Sequence, residues 1–295
     1  MLLSTKTLTS QQVEIVNLLL TGALAPQMGF LGRADFLSVA SRSRLQTGQL
    51  AALPLALPLT PTEKQTAQLS GRIALTDPEE RLIAEVQVTE LYRLPEEALE
   101  AIKFFEPTIT SDYWFAAGSI QAVKPVLHAR FKSARSSVGS LKTYFRQQRW
   151  KHIVAVQAKP TLNTAEAQHA CEWLFANRRG GLLIQQIADE SAEQFAAQVH
   201  AVREQIRCSA AKEVKLALLP AIEHLTAQQE ALLHAIISRN SGVTALVLSA
   251  DTPAPVKKWL QRYRDELDLE LLIPKHSRQR AVQEQPAFVA LQQVA

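Results

Sequence analysis

The chain has 295 residues, of which 47% are hydrophobic and 20% charged, and this composition excludes an intrinsically disordered protein. Its 32 basic and 28 acidic residues leave a net charge of only +4, which by itself does not indicate a nucleic-acid-binding protein. The two cysteines exclude a disulfide framework or a zinc site, and the ten glycines form no phosphate-loop motif.

Features of a membrane or exported protein are not predicted. The stretch Ile15 to Ala25 has the length of a signal-peptide core, but polar residues such as Gln11 and Glu14 precede it where a basic flank should stand. No run of 18 apolar residues could span a membrane. We therefore predict a cytoplasmic protein with Cys171 and Cys208 as reduced core thiols. The seven histidines show no metal-ligand spacing, so no metal is predicted.

Short apolar runs mixed with turns predict a β-rich fold for about the first 148 residues. Ser10 can cap a helix over about 11–21, and apolar spacing predicts a second helix over Arg33–Leu45. Pro95, followed by acidic residues, opens a helix to about Lys103. The predicted strands are Leu53–Leu59, Ile73–Leu75, Leu82–Val88 and Ile120–Val126.

From about residue 149, apolar strands alternate with amphipathic helices, which predicts a parallel sheet with helices on both faces. Ligands bind such sheets at the carboxyl ends of the strands, here the loops after Gln157, Ile187, Leu219 and Leu248. The predicted strands are His152–Gln157, Leu182–Ile187, Val214–Leu219, Val243–Leu248 and Leu269–Ile273. The predicted helices are Thr164–Ala176, Ala192–Ile206, Ala227–Arg239 and Pro255–Leu267. A Gln-rich, weakly patterned tail begins at Lys275.

Several segments share residues, in order and spacing, with one enzyme family. They are Gly22 to Leu31 with Ala34-Asp35-Phe36, Leu75 to Pro78 with Glu90-Leu91-Tyr92, Tyr144-Phe145 with Trp150 and Val154 to Gln157, and Glu230-Ala231 with His234 to Ile237, Arg239-Asn240, Gly242 and Thr244. Together they resemble the ATP sulfurylase (sulfate adenylyltransferase) family, which reads G-A-F-x-P-L-x-G-F-M in the first segment and H-A-I-I-R-K-N-x-G-x-T-H in the last.

The resemblance implies an α/β protein: a PUA-like β-rich domain followed by a Rossmann-like nucleotidyltransferase domain with a parallel sheet. We place these domains at residues 1–148 and 149–280, with a tail at 281–295. The resemblance also implies the family reaction of sulfate assimilation, in which MgATP and sulfate give adenylyl sulfate and pyrophosphate. The family's later S-G-T-x-L-R segment has no counterpart, so we expect a divergent, C-terminally short member.

The family's phosphate-handling residues are largely replaced. Its first active motif, Q-T-R-N-P-x-H-x-x-H, places an Arg and two His at the positive end of a helix. Here Gln157 is kept, Lys159 replaces the Arg, and Asn163 and Glu166 replace the two His. A carboxylate about 4 Å from a phosphate oxygen costs about 4 kcal/mol at an effective dielectric of about 20. We therefore predict that Glu166 makes this turn repel phosphate.

Other interpretations of these residues stay open. Asn163 and Glu166 fit a capping-box-like helix start, and Lys159 fits a solvated loop lysine. Gln157 fits loop hydrogen bonding as well as ligand contact. A Mg²⁺ ion held by Glu166 or Asp251 would reverse the electrostatic argument.

The second active motif, G-R-D-H-A-G-P, keeps Asp251 and its last Pro, whereas Ala250 replaces the Arg and Thr252 the His. Asp251 also fits a helix cap. In the family's M-R-Y-A-G-P-R-E-A segment, His224 and Gln229 take the two Arg positions. We assign no catalytic residue and no metal ligand. The nucleotide- or anion-binding candidates are Gln157, Lys159, Asn163, Asp251 and His224.

A basic stretch survives between Tyr113 and Ala165, where the chain has no Asp or Glu. It carries Lys124, Arg130, Lys132, Arg135, Lys142, Arg146, Arg149, Lys151 and Lys159. It is either a solvated surface or one that attracts an anion, a nucleotide or a nucleic acid. Tyr144 and Trp150 within it fit a buried helix–strand joint better than a base-stacking platform.

Three functions are compatible with these patterns. The favoured one is a catalytically degenerate family member that binds a nucleotide, a sulfate-like anion, a partner protein or a second copy of itself near sulfate activation. The second is an active adenylyltransferase with a rewired site that uses MgATP. The third, least favoured, is a nucleic-acid-binding protein, which rests on fold analogy with PUA-like domains.

Overall fold

The structure is a computed structural model, and it describes residues 4–126, 130–159, 162–177, 180–188, 193–208 and 213–274. The chain divides into two compact units, Met1–Ala129 with Ile222–Ile236 and Arg130–Ala221 with Ile237–Ala295. Residues 130–148, which we assigned to the first domain, belong to the second unit. The tail predicted at 281–295 lies outside the described residues.

The first unit contains a six-stranded mixed sheet. Its strands are β1 (Ser4–Thr7), β2 (Gly29–Phe30), β3 (Leu57–Leu59), β4 (Arg72–Thr76), β5 (Leu82–Tyr92) and β6 (Trp114–Ala122). Its helices are α1 (Ser10–Leu20), α2 (Arg33–Arg42), α3 (Pro61–Ser70) and a 3₁₀ helix, Glu96–Ile102. The strand order is β1-β4-β5-β6-β2, and β3 also pairs with β6. Only the β1–β4 pair is parallel.

The helices predicted near residues 11–21 and 33–45 are confirmed as α1 and α2. The cap of α1 is Thr9 and not Ser10, because the Thr9 hydroxyl accepts the Gln12 N–H at 3.2 Å while Gln12 Oε1 accepts the Thr9 N–H at 2.9 Å. This reciprocal pair is a capping box, which ties the chain direction at the first turn. The helix predicted after Pro95 is of the 3₁₀ type.

Two strands of the first unit differ in position from those predicted. The run predicted at Ile120–Val126 is the end of β6, which starts at Trp114 and pairs with β5 over most of its length. Gly118 permits this pairing, since a Cβ there would lie 2.0 Å from the carbonyl oxygen of Gln87. The run predicted at Leu53–Leu59 pairs only from Leu57, although its earlier leucines are fully buried.

The second unit contains a five-stranded, fully parallel sheet, as predicted. Its strands are β7 (His152–Ala158), β8 (Gly180–Ala188), β9 (Val214–Pro220), β10 (Ala245–Val247) and β11 (Glu270–Leu272), in the order β11-β10-β7-β8-β9. Its helices are α4 (Val138–Gln147), α5 (Thr164–Asn177), α6 (Phe195–Cys208), α8 (Ala254–Gln261) and α9 (Arg264–Leu267), and α7 (Ala227–Ser241) continues into it from the first unit.

Helices cover both faces of this sheet. One face packs Val156 and Ile184 against residues of α5 and α6, including Ala167 and Val199, in one buried apolar cluster. Neighbouring strand residues point to the other face. On that face Gln185 Oε1 accepts a hydrogen bond from the hydroxyl of Ser238 on α7 at 3.1 Å. This arrangement confirms the predicted α/β class and leaves the carboxyl strand ends free to carry loops.

The elements outside the sheet differ in detail from the prediction. The helix predicted over Pro255–Leu267 is broken into α8 and α9. Helix α4 was not predicted, and it leads into Trp150. The Trp150 ring lies 2.2 Å from the position that a Cβ on Gly181 would take. Within the described ranges, no helix is both long and apolar enough to cross a membrane.

The prediction of buried thiols is confirmed for Cys171, which packs in the core cluster as a free cysteine. Burial raises the pKa of its thiol to about 11, because the thiolate would lose its hydration there. Such a thiol is protonated at neutral pH and therefore a poor nucleophile. The side chain of Cys208 lies outside the described part of the chain.

Candidate functional site

The candidate site lies where β7 and β10 end in the second unit. The loop after β7 leads into α5, and the loop after β10, residues 248–253, leads into α8. The two strands are direct neighbours in the sheet, so their carboxyl ends bring both loops together. These loops carry the positions of both degenerate motifs, and a hydrogen bond joins them.

Asn163 caps helix α5. Its Oδ1 accepts hydrogen bonds from the backbone N–H groups of Ala165, at 3.0 Å, and Glu166, at 3.3 Å. Its carbonyl accepts the first helical bond, from Ala167 N, at 3.0 Å. These N–H groups are the ones that bind anions at an uncapped helix start. The capping interpretation of Asn163 is therefore confirmed, and its side chain occupies donors that a phosphate would use.

Glu166 does not face solvent. Its side chain is 2% exposed, and Oε1 accepts the N–H of Ala250 at 2.6 Å. Lys257 on α8 is 8% exposed, and its Nζ donates to the carbonyl oxygen of the same Ala250 at 3.1 Å. Two buried charged side chains therefore hold the two polar atoms of one loop residue. We call the contacts of Glu166 and Lys257 with Ala250 the loop clamp.

The environment of Glu166 raises the pKa of its carboxyl above the usual value. Burial is the largest cause, because it disfavours the ionised form, and the charge of Asp251 acts in the same direction. Hydrogen bonds from Ala250 and Ser249 and the charge of Lys257 oppose the shift. The site thus already contains a poorly hydrated carboxyl group. Glu166 offers no positive charge that would stabilise a second anion beside it.

We expect this raised pKa to appear in the pH dependence of stability. A folded-state pKa above the unfolded value gives a stabilising contribution that is full below about pH 4.5 and is lost as pH rises through the folded pKa. Glu166→Gln cannot ionise, so its stability relative to the unmodified protein should increase between about pH 4.5 and 7. Urea unfolding at both pH values measures this. Glu172→Gln, at an exposed position of α5, should show a smaller change, and an equal change would contradict the assignment.

Gln157 and Lys159 flank the end of β7. Gln157 is 8% exposed and lies in register with Gln185 on the neighbouring strand. Among the residues that the structure describes, none forms a hydrogen bond with the Gln157 side-chain amide. Its amide atoms keep some contact with solvent, so a ligand at this end of the strand can reach them. Lys159 is exposed, one residue past the strand.

Asp251 lies in the second loop but does not cap the helix that follows. Its side chain is exposed, and its N–H donates to Ser249 Oγ at 3.3 Å. The N-cap of α8 is Pro253, and no side chain there accepts a helix N–H. The alternative of Asp251 as a structural cap was therefore wrong. Pro255, in the first turn of α8, has no N–H that would need an acceptor.

His224 is the one predicted site residue that the first unit contains. Its backbone has a φ of +60°, and its side chain is exposed with Nε2 3.9 Å from a carboxylate oxygen of Glu223. The structure thus brings Gln157, Lys159, Asn163 and Asp251 to the two loops of the second unit, while His224 belongs to the other unit.

The described part of the chain groups no metal-binding side chains around these residues. Throughout the described ranges, no three His, Cys, Asp or Glu side chains are grouped so that they could hold a metal ion. Glu166 and Asp251 are two carboxylates in one loop region, but Glu166 is occupied by Ala250. Magnesium bound by one or two carboxylates takes its remaining ligands from water and substrate phosphates.

Sequence reasoning missed Lys257. It lies next to Val256 and one turn before Leu260, both buried on the inner side of α8. A lysine among the apolar residues of an amphipathic helix is the available sequence signal, because a buried ammonium needs acceptors. Its acceptor, a backbone carbonyl, carries no such signal.

The comparisons with known families cover nearly the whole chain. Residues 2–124 match the model of the PUA-like domain, and residues 132–287 match the model named ATP-sulfurylase. The match confirms the predicted order of a PUA-like domain followed by a domain of this type.

Curated relatives include three fungal proteins named sulfate adenylyltransferase. The Eremothecium gossypii protein is 25% identical over 90% of this chain and 58% of its own length. The Schizosaccharomyces pombe protein is 28% identical over 85% and 54%, and the Saccharomyces cerevisiae protein is 26% identical over 90% and 57%. This chain thus spans little more than half the length of the relatives it matches.

Among solved structures, a hexameric APS kinase from Thiobacillus denitrificans has the same fold. It superimposes with a TM-score of 0.70 over 92% of this chain and 51% of its own, at 23% sequence identity. At this identity the likeness extends to the fold alone.

Proposed function

Since the chain belongs to the ATP-sulfurylase family, we propose that it is a member with little or no adenylyltransferase activity, whose phosphate-binding loops are closed by its own side chains. Its role would be to bind a nucleotide, a sulfate-like anion or a protein partner near sulfate activation. Its relatives carry the name sulfate adenylyltransferase. We expect this chain to bind the same class of substrate without converting it.

The hydrogen bond from Ala250 N–H to Glu166 carries this proposal. In the family pattern, the position of Glu166 is a His and that of Ala250 an Arg, and both side chains would face phosphate. Here the two positions contact each other, so the loops are joined without a ligand. A buried carboxylate now lies at a place where negative charge must be neutralised during nucleotidyl transfer.

The loss of electrostatic stabilisation is larger than a single substitution would cause. Preorganised groups that neutralise developing charge supply a large share of catalysis, and removing one such donor costs about 10²–10³ in rate. Asn163 is used as a cap, Ala250 has no charge, and Lys159 lacks the forked geometry of arginine. Several contributors are therefore absent together.

The experiment that tests the proposal is the reverse reaction, ATP formation from adenylyl sulfate and pyrophosphate. The unmodified protein is assayed without a tag, and the S. cerevisiae relative serves as the positive control. We expect no ATP above the level of heat-inactivated protein. ATP formation that disappears in Lys159→Ala would overturn the proposal, because it would show a rewired but working site.

One observation favours the second candidate, an active or at least nucleotide-binding protein. The side chain of Gln157 is 8% exposed at the end of β7, and no described residue is its hydrogen-bond partner. A nucleotide phosphate or adenine could be that partner, and MgATP would then be the ligand. Titration calorimetry with MgATP shows whether the protein binds a nucleotide. Binding that Gln157→Leu abolishes, without ATP formation in the assay above, supports a nucleotide-binding protein that does not catalyse.

A further inference from the structure

Two half-buried cations of the second unit meet at one serine. Arg203 on α6 donates from Nη2 to the Ser133 hydroxyl at 3.1 Å. Lys215, near the start of β9, donates from Nζ to the carbonyl oxygen of the same serine at 3.3 Å. Ser133 lies in a short 3₁₀ helix, Lys132–Ala134, and its side chain is exposed. We call Arg203, Lys215 and Ser133 the serine cluster.

The serine cluster lies at an edge of the parallel sheet. β9 is the edge strand, separated by β8 from β7, and β7 and β10 are the strands whose loops form the candidate site. Leu216 packs with Val202 of α6 on one face of the sheet, so the neighbouring Lys215 points to the other face. Arg203 and Lys215 therefore approach Ser133 around the edge strand from opposite faces. The cluster is separate from the loop clamp and independent of the proposed function.

No carboxylate balances the two cations of the cluster within the described ranges. Neither Arg203 nor Lys215 forms an ion pair there, although Glu213 lies only two residues before Lys215. Glu204, which follows Arg203 on α6, contacts Arg207 at 2.7 Å instead. The cluster thus carries two positive charges that no described acidic side chain offsets.

The absence of a carboxylate distinguishes Lys215 from two other lysines with buried side chains. Lys6 lies 3.3 Å from a carboxylate oxygen of Glu63, and Lys257 interacts with the carboxyl group of Glu166. Burial lowers the pKa of the Lys215 ammonium, because the charged form loses hydration, and no acidic neighbour opposes this shift. A partly desolvated cation without a counter-charge is stabilised when an anion binds beside it.

The cluster also keeps hydrogen-bond donors that the described residues do not use. A guanidinium group has five N–H donors and an ammonium group three, and Ser133 is the one described hydrogen-bond acceptor of both Arg203 and Lys215. The Ser133 hydroxyl, which accepts from Arg203, can itself donate its proton. Two exposed cations, Arg130 and Lys132, precede Ser133 in a stretch without acidic residues. Donors and positive charge therefore surround one exposed hydroxyl group.

The aromatic rings beside the cluster are already packed. The Phe131 ring contacts Phe195 edge to face with centroids 5.4 Å apart, and the Arg203 guanidinium lies 4.8 Å from the Phe131 ring centroid. The Lys215 ammonium lies 5.0 Å from the ring centroid of Tyr144. These rings offer no free face for stacking a base, so the cluster fits a small anion better than a nucleotide or a nucleic-acid strand.

We propose that the serine cluster binds a small tetrahedral dianion such as inorganic phosphate or sulfate. The four oxygen atoms of such an anion can accept hydrogen bonds from the guanidinium, the ammonium and the serine hydroxyl together. Its two negative charges match the two half-buried cations. A monovalent carboxylate has fewer oxygen atoms and balances only one of these cations.

The test is a titration of the full chain with inorganic phosphate in a chloride buffer, followed by phosphorus NMR. We expect saturable binding that the double variant Arg203→Gln, Lys215→Gln weakens about tenfold or more, because it removes two charge-assisted donors. The matched control is Lys258→Gln, Arg262→Gln, which removes two exposed cations from α8 and its C-cap and should change binding less than about twofold. Sulfate should displace the phosphate, and acetate at the same concentration should not.

Four results would overturn the proposal. They are absence of saturable binding up to about 20 mM phosphate, equal weakening in both double variants, displacement by acetate as effective as by sulfate, and loss of binding in Lys159→Gln. The last would place the phosphate at the loop after β7 instead. Circular dichroism checks that the variants fold. If the first double variant is unfolded, Lys215→Gln alone supplies the same comparison, since it removes a poorly hydrated charge.

Discussion

A Glu166→Ala variant is expected to lose about 3 kcal/mol of unfolding free energy. The substitution leaves the buried N–H of Ala250 without its acceptor, and an unsatisfied buried donor costs about 1–3 kcal/mol. It also removes a carboxylate that interacts with the buried Lys257 and leaves a small cavity beside α5. Urea unfolding followed by circular dichroism measures the difference.

Two variants show whether the loss comes from the loop clamp. Glu172→Ala removes the same side chain from an exposed position of α5, where it contacts Gln168 and His169, and should change stability by less than about 0.5 kcal/mol. Glu166→Gln keeps an oxygen that can accept the Ala250 N–H, and should cost less than about 1 kcal/mol. If Glu166→Ala were as stable as Glu172→Ala, the clamp would not exist in solution.

The second unit was well predicted because its periodicities are unambiguous. Runs such as Ile153 to Val156 and Leu182 to Ile184 are buried on both faces of the sheet, and each is followed by an amphipathic helix. The first unit was harder to predict, because its sheet is mixed and the pairing of its strands depends on small residues. Gly118 and its alanine neighbours in β6 have weak strand propensity, and tertiary pairing with β5 decides their conformation.

Helix α3 shows a signal that the sequence contained and that we did not use. Thr60 and Glu63 form a reciprocal capping box, and Pro61 stands at the first helical position. The rest of the helix is polar, with only Ala67 buried, so no apolar periodicity marks it. Its start was therefore predictable from capping residues, whereas its length was not.

The role of Glu166 could be predicted only in part. Its position three residues after Asn163 indicated a helix start, and Asn163 does cap α5. The carboxylate does not complete the capping box but reaches Ala250, 84 residues further along the chain. A contact with a backbone N–H leaves no trace in the residue type of its partner, so no pattern in one sequence can reveal it.

Replacing both contacting positions by the family residues should restore anion binding. We expect the double variant Glu166→His, Ala250→Arg to bind pyrophosphate about 100-fold more tightly than the unmodified protein. Removing one charge at about 4 Å is worth about 4 kcal/mol at an effective dielectric of about 20, and solvent screening reduces the gain. Titration calorimetry with pyrophosphate measures it, at a temperature where unfolding experiments show the variant to be folded.

The control for this gain is a change of equal charge elsewhere on α5. Gln168→Arg with Glu172→His makes the same change of charge on the exposed side of the helix, at two positions four residues apart. Since these positions do not face the loop after β10, we expect less than about a twofold change in pyrophosphate binding. Equal tightening in both double variants would mean that net charge alone attracts the anion. A gain confined to Glu166→His, Ala250→Arg would mean that the fold still holds the phosphate geometry, and that the loop clamp is what closes it.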